Sequence, residues 1–304
     1  MSDQDAGPIG RLASPKSLSN AEYDAWGMRT ALLSRGLPTV SLPGDVVFTE
    51  DGGPGALAFA QLSSHGTTYG GMGIARKPED IERILARAGL PAATAPHAED
   101  RPSEHRGGRT VSALVHHGAV LALNGSGGQS ELSPQEAGTE MVQLAQEAAR
   151  AISGVGLAAV RMGADQDDAG FVVTGISHSP HLRDFSAGSR SQALEIAQQL
   201  VERTAAVAGV SAPEPSGGVR LRVQAEGAAE PGRFQAHLRE LVEVMRSLEL
   251  QETVPEDSES QAPVPEGSGL TVCGAPGAAA LLVTRALTGL PGDDFAQIVT
   301  THPL

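Results

Sequence analysis

At 304 residues the chain has room for two or three domains, yet only 3% of it is aromatic, so large core anchors are scarce. A net charge of −14 repels polyanions, and the small basic cluster Arg101, Arg106 and Arg109 is interrupted by Glu104, which argues against a nucleic-acid partner. A lone cysteine, Cys273, excludes an internal disulfide, and neither a signal-peptide core nor a membrane-length apolar run is present, so the expectation is a cytoplasmic protein without a membrane partner.

Residues 1–20 are polar and rich in Pro, Gly and Ser, the composition of a disordered tail. A helix is expected over 21–35, closed by Gly36 with Pro38 beyond it. "TVSL" and "DVVFTE" follow as short strands around Pro43-Gly44. "RKPEDIERILARAGLP" predicts a helix from Pro78, with Glu79 and Asp80 at its positive end and Ile81, Ile84, Leu85 and Ala88 on one face. Residues 92–109 are polar loop. "TVSALVHHGAVLAL" reads as a hairpin turning at His117-Gly118.

"SPQEAGTEMVQLAQEAARAIS" predicts a helix with a Ser133–Glu136 capping box. "LAAVRM" and "FVVTGIS" are strands around the acidic turn "GADQDDAG", and a helix follows over 189–207. "VRLRVQ" alternates as a half-buried strand does. Residues 233–250 read as a helix with Phe234, Leu238, Leu241, Met245 and Leu248 in a heptad-like stripe, which packs on its own domain or forms a dimer seam. The acidic, Pro/Ser-rich stretch 251–268 reads as a flexible linker.

"GLTVCGAPGAAALLVTRALTG" then has the outline of a strand, a glycine turn and a helix, as phosphate loops do. Where such a loop carries its lysine and hydroxyl, this chain has Ala278 and Ala279. Cys273 lies in the apolar run and suits a buried structural thiol. His178, His181 and the pair His116-His117 lack a third ligand in the sequence and read as surface or structural residues. The segment "GTTYGGMG" could approach a phosphate, though such loops also occur without ligands.

The order of elements over 133–207, with "AARAI" at 148–152 and "SPHLR" at 179–183, resembles the C-terminal part of ATP-grasp ligases, most closely the cyanophycin synthetase-like branch. "HGTTYGGMGIARKPEDIERILARAGLP" and "RTVSALVHHGAVLAL" are similar to that family's first half, so the resemblance covers residues 21–207. It implies an α/β fold of mixed α+β layers and an ATP-dependent carboxylate–amine ligase. Such an enzyme holds Mg²⁺ with an Asp, a Glu and an Asn, oxygen ligands suited to a hard cation. Matched residue by residue, those positions are Arg161, Gly175 and Ser177 here. The stretch between Pro91 and Arg109 is too short for the family's nucleotide lid and contains no lysine. In the same branch a Mur ligase-like domain follows, opening with a phosphate loop. Gly274, Gly277, Ala278 and Ala279 occupy that place in chain order.

The resulting expectation is a truncated ATP-grasp-like domain lacking most of its lid, plus a small C-terminal α/β segment. Its parts are a tail at 1–20, an N-terminal part at 21–96, a linker in place of the lid at 97–108, and a C-terminal part at 109–212. A strand–helix extension at 213–250, the linker 251–268 and a vestigial phosphate loop at 269–304 complete it. The function implied is a non-catalytic pseudo-ligase with a binding or scaffolding role, beside an active paralogous ligase or as a homodimer, with no resident cofactor. The alternative is an active ligase using ATP and Mg²⁺, with Lys77, Arg109 and Arg161 on the phosphates and Asp165 or Asp168 on the metal. A second alternative is a small-molecule binding protein that uses the residual cleft.

Overall fold

The computed structural model describes residues 11–49, 56–64, 66–92, 110–125, 138–164, 170–251, 268–290 and 295–304. The chain divides into two compact units, one formed by residues 1–61 and 204–304 and the other by 62–203. The first unit opens with a 3₁₀ turn at Pro15–Ser17, inside the stretch 1–20 expected to be a disordered tail, followed by a helix, α1 (Asn20–Ser34), and strands β1 (Thr39–Leu42), β2 (Val46–Thr49) and β3 (Ala58–Ala60). The second contains β4 (Ser63–Ser64), α2 (Tyr69–Ala75), α3 (Pro78–Arg87), β5 (Thr110–His116), β6 (Ala119–Gly125), α4 (Thr139–Ala151), β7 (Leu157–Ala164), β8 (Phe171–Ser177) and α5 (Leu182–Phe185). Helix α6 (Arg190–Ala208) runs across the boundary, and the first unit closes with β9 (Val219–Glu226), α7 (Pro231–Val244), β10 (Leu248–Gln251), β11 (Ser268–Gly274), α8 (Pro276–Thr288) and β12 (Ile298–Pro303).

In the first unit the succession β9–α7–β10–β11–α8–β12 is a split βαβ motif of the ferredoxin-like kind. Its strands lie in the order β10-β11-β9-β12, and β1, β2 and β3 extend the sheet beyond β12. Every pairing along this array is antiparallel. Alternation sets its inner face: Val219, Leu221, Val223 and Ala225 of β9 are buried, while Arg220 and Glu226 are exposed. Helices α7 and α8 cover that face, and α1 packs against α8. Helix α1 begins at a capping box, in which Glu22 N–H donates to Ser19 Oγ and Ser19 N–H to the Glu22 carboxylate.

The second unit is built on an antiparallel sheet of order β6-β5-β7-β8. Val111, Ala113 and Val115 of β5, Val160 and Met162 of β7, and Ile176 of β8 form a core with Ile81 and Leu85 of α3 and Met141, Ala145 and Ala148 of α4. The β5–β6 hairpin turns at His117 (φ 45°) and Gly118 (φ 74°), two positive φ angles in succession that suit a two-residue hairpin loop.

The mixed α/β character agrees with the sequence reading, but the division of the chain does not. The segment 21–61 belongs with the C-terminal third rather than with residues 62–96. The regions 213–250 and 269–304 share one sheet and are not separate appendages. Residues 251–268 join two adjacent strands, since Gln251 is paired with Thr271, so this stretch is no interdomain linker. The expected long helix over 233–250 ends at Val244, and Leu248 starts β10. Phe234, Leu238, Leu241, Met245 and Leu248 are all buried within their own unit, so the stripe is core and no dimer seam. The Ser133–Glu136 capping box lies outside the described residues.

Candidate functional site

Strand β7 presents alternate residues to opposite faces of the second unit's sheet. Val160 and Met162 enter the core, whereas Arg161 points the other way and is exposed. Cross-strand register places Asn124, Ser112, Arg161 and Gly175 in one row across all four strands. One step along the same face, Leu114 and Ala159 lead to Ser177. The three positions matched to the ATP-grasp metal ligands are therefore neighbours, with Arg161 directly opposite Gly175 and Ser177 two residues further on β8. Asn124 is oriented by donating its side-chain amide to the Asp184 carbonyl of α5.

His178 follows Ser177 at the end of β8. Burial, and then the positive charge of Arg76 at the end of α2, hold its imidazole below the ordinary range. Lys77 caps α3 through its backbone position and is exposed. Arg109, Asp165 and Asp168 lie outside the described residues. Among the described residues no three His, Cys, Asp or Glu side chains gather as a metal cluster would. An arginine, a glycine and a serine do not fit Mg²⁺, which takes carboxylate and carbonyl oxygens. A guanidinium with five donors fits phosphate or carboxylate oxygens.

Sequence reasoning missed a second feature of this unit, a pocket of about 200 Å³ lined by residues that include Val115, His117, Gly118, Arg150, Ser153 and Gly154. The glycines of "SGVG" after α4 were its available signal. Arg150 lies over Gly118 and donates to the Gly118 carbonyl at 3.1 Å. The segment "GTTYGGMG" packs on the same glycines: Thr68 N–H donates to Gly154 O at 2.7 Å, and a Cβ on Gly71 would lie 2.4 Å from the Gly154 backbone. Gly71 is thus required by close backbone packing rather than by a ligand. Deeper in the sheet, His116 is fully buried. Burial, its neighbour His117 and Arg203 together push its imidazole down to about 3.

The turn at 274–279 lies in the first unit and differs from the expectation of a phosphate-loop remnant. Its strand is flanked antiparallel on both sides by β10 and β9. Three amides of the turn are already used: Ala275 N–H donates to Ser247 O, and both Ala278 and Ala279 donate to Ala275 O. Pro276 has no N–H, and the Gly277 carbonyl accepts the indole N–H of Trp26 at 2.8 Å. A Cβ on Gly274 would lie 2.0 Å from Ser247 O, so this glycine answers a close approach of two backbones. Ala278 and Ala279 are buried under this packing. Cys273, beside the turn, is half-buried.

Fold and site together define a two-unit mixed α/β protein with antiparallel sheets. Among the described residues no helix is long and apolar enough to cross a membrane. No family model matches the chain, and no curated protein does. Among solved structures it is similar to Rhizobium etli pyruvate carboxylase crystallised without acetyl coenzyme-A, at a TM-score of 0.35 and 11% identity over 69% of this chain and 25% of that one. It is also similar to the complete multifunctional pyruvate carboxylase of the same organism, at 0.33 and 12% over 77% of this chain and 24% of that one. A single-chain, multi-domain long-chain acyl-CoA carboxylase aligns at 0.29 and 12%, over 76% of this chain and 26% of that one. The chain spans about a quarter of the length of each.

Proposed function

We propose that this chain is a non-catalytic ATP-grasp-like protein that binds an anionic ligand, of the phosphate or carboxylate class, at the exposed Arg161 position of its β5–β8 sheet. The observation that carries this reading is the placement of Arg161 directly opposite Gly175. The family resemblance puts Mg²⁺ carboxylates at these positions. A cation with an empty neighbour on that face favours direct contact with ligand oxygens and disfavours a divalent metal. Ser112 and Asn124 on one side, with Ser177 one row along, add hydrogen-bonding groups on the same face. The role that follows is recognition or scaffolding, with an active ligase of the same family as the expected partner.

Calorimetric titration with ATP, ADP and inorganic phosphate, each with and without Mg²⁺, tests this reading. Binding that needs no Mg²⁺ and is lost in Arg161→Glu supports it. ATP turnover in the presence of amino-acid or peptide acceptors would restore the ligase alternative and overturn the proposal.

A further inference from the structure

The core of the first unit contains a cation whose printed hydrogen bonds reach hydroxyls and no carboxylate. Arg29 of α1 is 1% exposed. Its hydrogen bonds go to two hydroxyls, from Nε to Ser41 Oγ at 3.3 Å and from Nη1 to Thr284 Oγ1 at 2.9 Å. Its Nη2 is sealed from solvent and has no hydrogen-bond partner. Burial lowers the guanidinium to about 10, while Asp45 and Glu22 act on it only through space, so it keeps its charge at neutral pH.

The geometry of the unused donors is specific. Nε and Nη2 form the side-on edge of a guanidinium, the edge that grips both oxygens of a carboxylate in a bidentate pair. Here Ser41 Oγ fills one position and the other is open. Ser41 accepts from Nε, which leaves its own hydroxyl proton as a donor. Thr284 sends its proton to Ala280 O at 2.8 Å and is fully used. Two donors thus remain side by side in a closed interior. A buried cation that no carboxylate contacts directly is strongly disfavoured. Unsatisfied buried donors are rare enough to call for a bound water or ion. Of these two, only an anion also supplies charge.

We propose that Arg29 and Ser41 form a closed seat for a single small inorganic anion of the halide class, between α1, β1 and α8. The seat is sealed, so the ion is part of the folded core and not a ligand exchanged at the surface. It is independent of the Arg161 row.

Thermal unfolding of the full chain across a chloride series, at constant ionic strength with sodium gluconate, tests this. A species that binds only the folded state raises the folded-to-unfolded ratio in proportion to its concentration above Kd, so each decade of chloride raises that ratio up to about tenfold. Arg29→Met is expected to abolish the response and Ser41→Ala to weaken it. A wild-type protein indifferent to chloride overturns the proposal, as does an equal response in Arg29→Met; a buried water produces the former result. Should Arg29→Met not fold, crystals grown in sodium bromide decide by anomalous scattering. A bromide peak within contact of Nη2 supports the seat, and its absence at that position overturns it.

Discussion

Arg161 and Gly175 are direct partners across β7 and β8, and a side chain added at Gly175 would meet no atom within 4 Å. The arginine is therefore uncovered on that side because its neighbour has nothing to cover it with. Gly175→Glu is expected to place a carboxylate opposite the guanidinium. Opposite-charge cross-strand pairs contribute about 0.2–1 kcal/mol, and removing a strand glycine adds about 0.5–1 kcal/mol. Urea unfolding checks this as a raised midpoint, and the pair contribution vanishes in an Arg161→Ala background. The same variant weakens binding of phosphate-class ligands, because its carboxylate occupies the donors they need.

Restoring a phosphate loop at 274–279 is expected to fail. Ala278→Lys puts an ammonium into a buried helix face, and Ala279→Thr enlarges a side chain with no exposed surface. Overpacking of this kind costs about 1–3 kcal/mol per site. The double variant should melt lower and show no gain in nucleotide affinity by calorimetry. Gly274→Ala is a sharper probe of the packing role, because its Cβ would collide with Ser247 O. A loss of about 3 kcal/mol is expected on unfolding, and a neutral result would show that β10 moves freely away from β11.

The elements themselves were largely legible, since Pro78, the His117-Gly118 turn and the alternation of β9 signal local structure through local chemistry. The assembly was not. The pairing of β1 with β12 joins residues such as Thr39 and Thr301, whose hydroxyls meet at 2.8 Å across nearly the whole chain. No periodicity within a window of the sequence reports such a contact. The 251–268 stretch has linker composition, but composition cannot say whether its two ends are held together. The heptad-like spacing from Phe234 to Leu248 continued through Met245, where the helix already ends, because buried strand residues can match a helical count by chance. The site positions Arg161, Gly175 and Ser177 came from motif matching. That they share one face became visible only through the register of β7 and β8. Arg29 gave no signal, because a buried arginine and a surface arginine are the same letter.

His116 links the second unit's stability to pH. Its folded-state pKa is pushed down to about 3 by burial, His117 and Arg203, whereas an unfolded histidine titrates near 6.5, at about the ordinary value. As pH falls below that value the unfolded chain takes up a proton that the native state refuses. Stability therefore declines with falling pH, by at most about 1.4 kcal/mol per pH unit from this residue. Urea unfolding between pH 7 and 5 should show this slope, and His116→Leu should reduce it by close to one proton. An unchanged slope in that variant would assign the pH dependence elsewhere.

The first unit has a linkage of the same sign, at lower pH, at Glu22. Burial acts to raise its carboxyl, but hydrogen bonds from the Ser19 backbone, the Ser19 hydroxyl and Thr288, together with the charge of Arg285, outweigh burial and hold it below the usual range. A depressed carboxylate contributes stability that is complete above its unfolded pKa, about 4.3, and is lost as pH falls through the lower folded value. Glu22 closes the box at the start of α1 and also reaches toward Arg285 and Thr288 in the last turn of α8, so it ties two helices whose residues lie far apart in sequence. Ser19→Ala is expected to cost about 1 kcal/mol as a lost N-cap. Glu22→Gln keeps the shape, removes the charge, and should flatten the acid limb of the stability profile. A double-mutant cycle between Glu22→Gln and Arg285→Met measures the tie between the helices. Additive effects would confine Glu22 to capping α1, and a coupling of at least about 0.5 kcal/mol would place it in both.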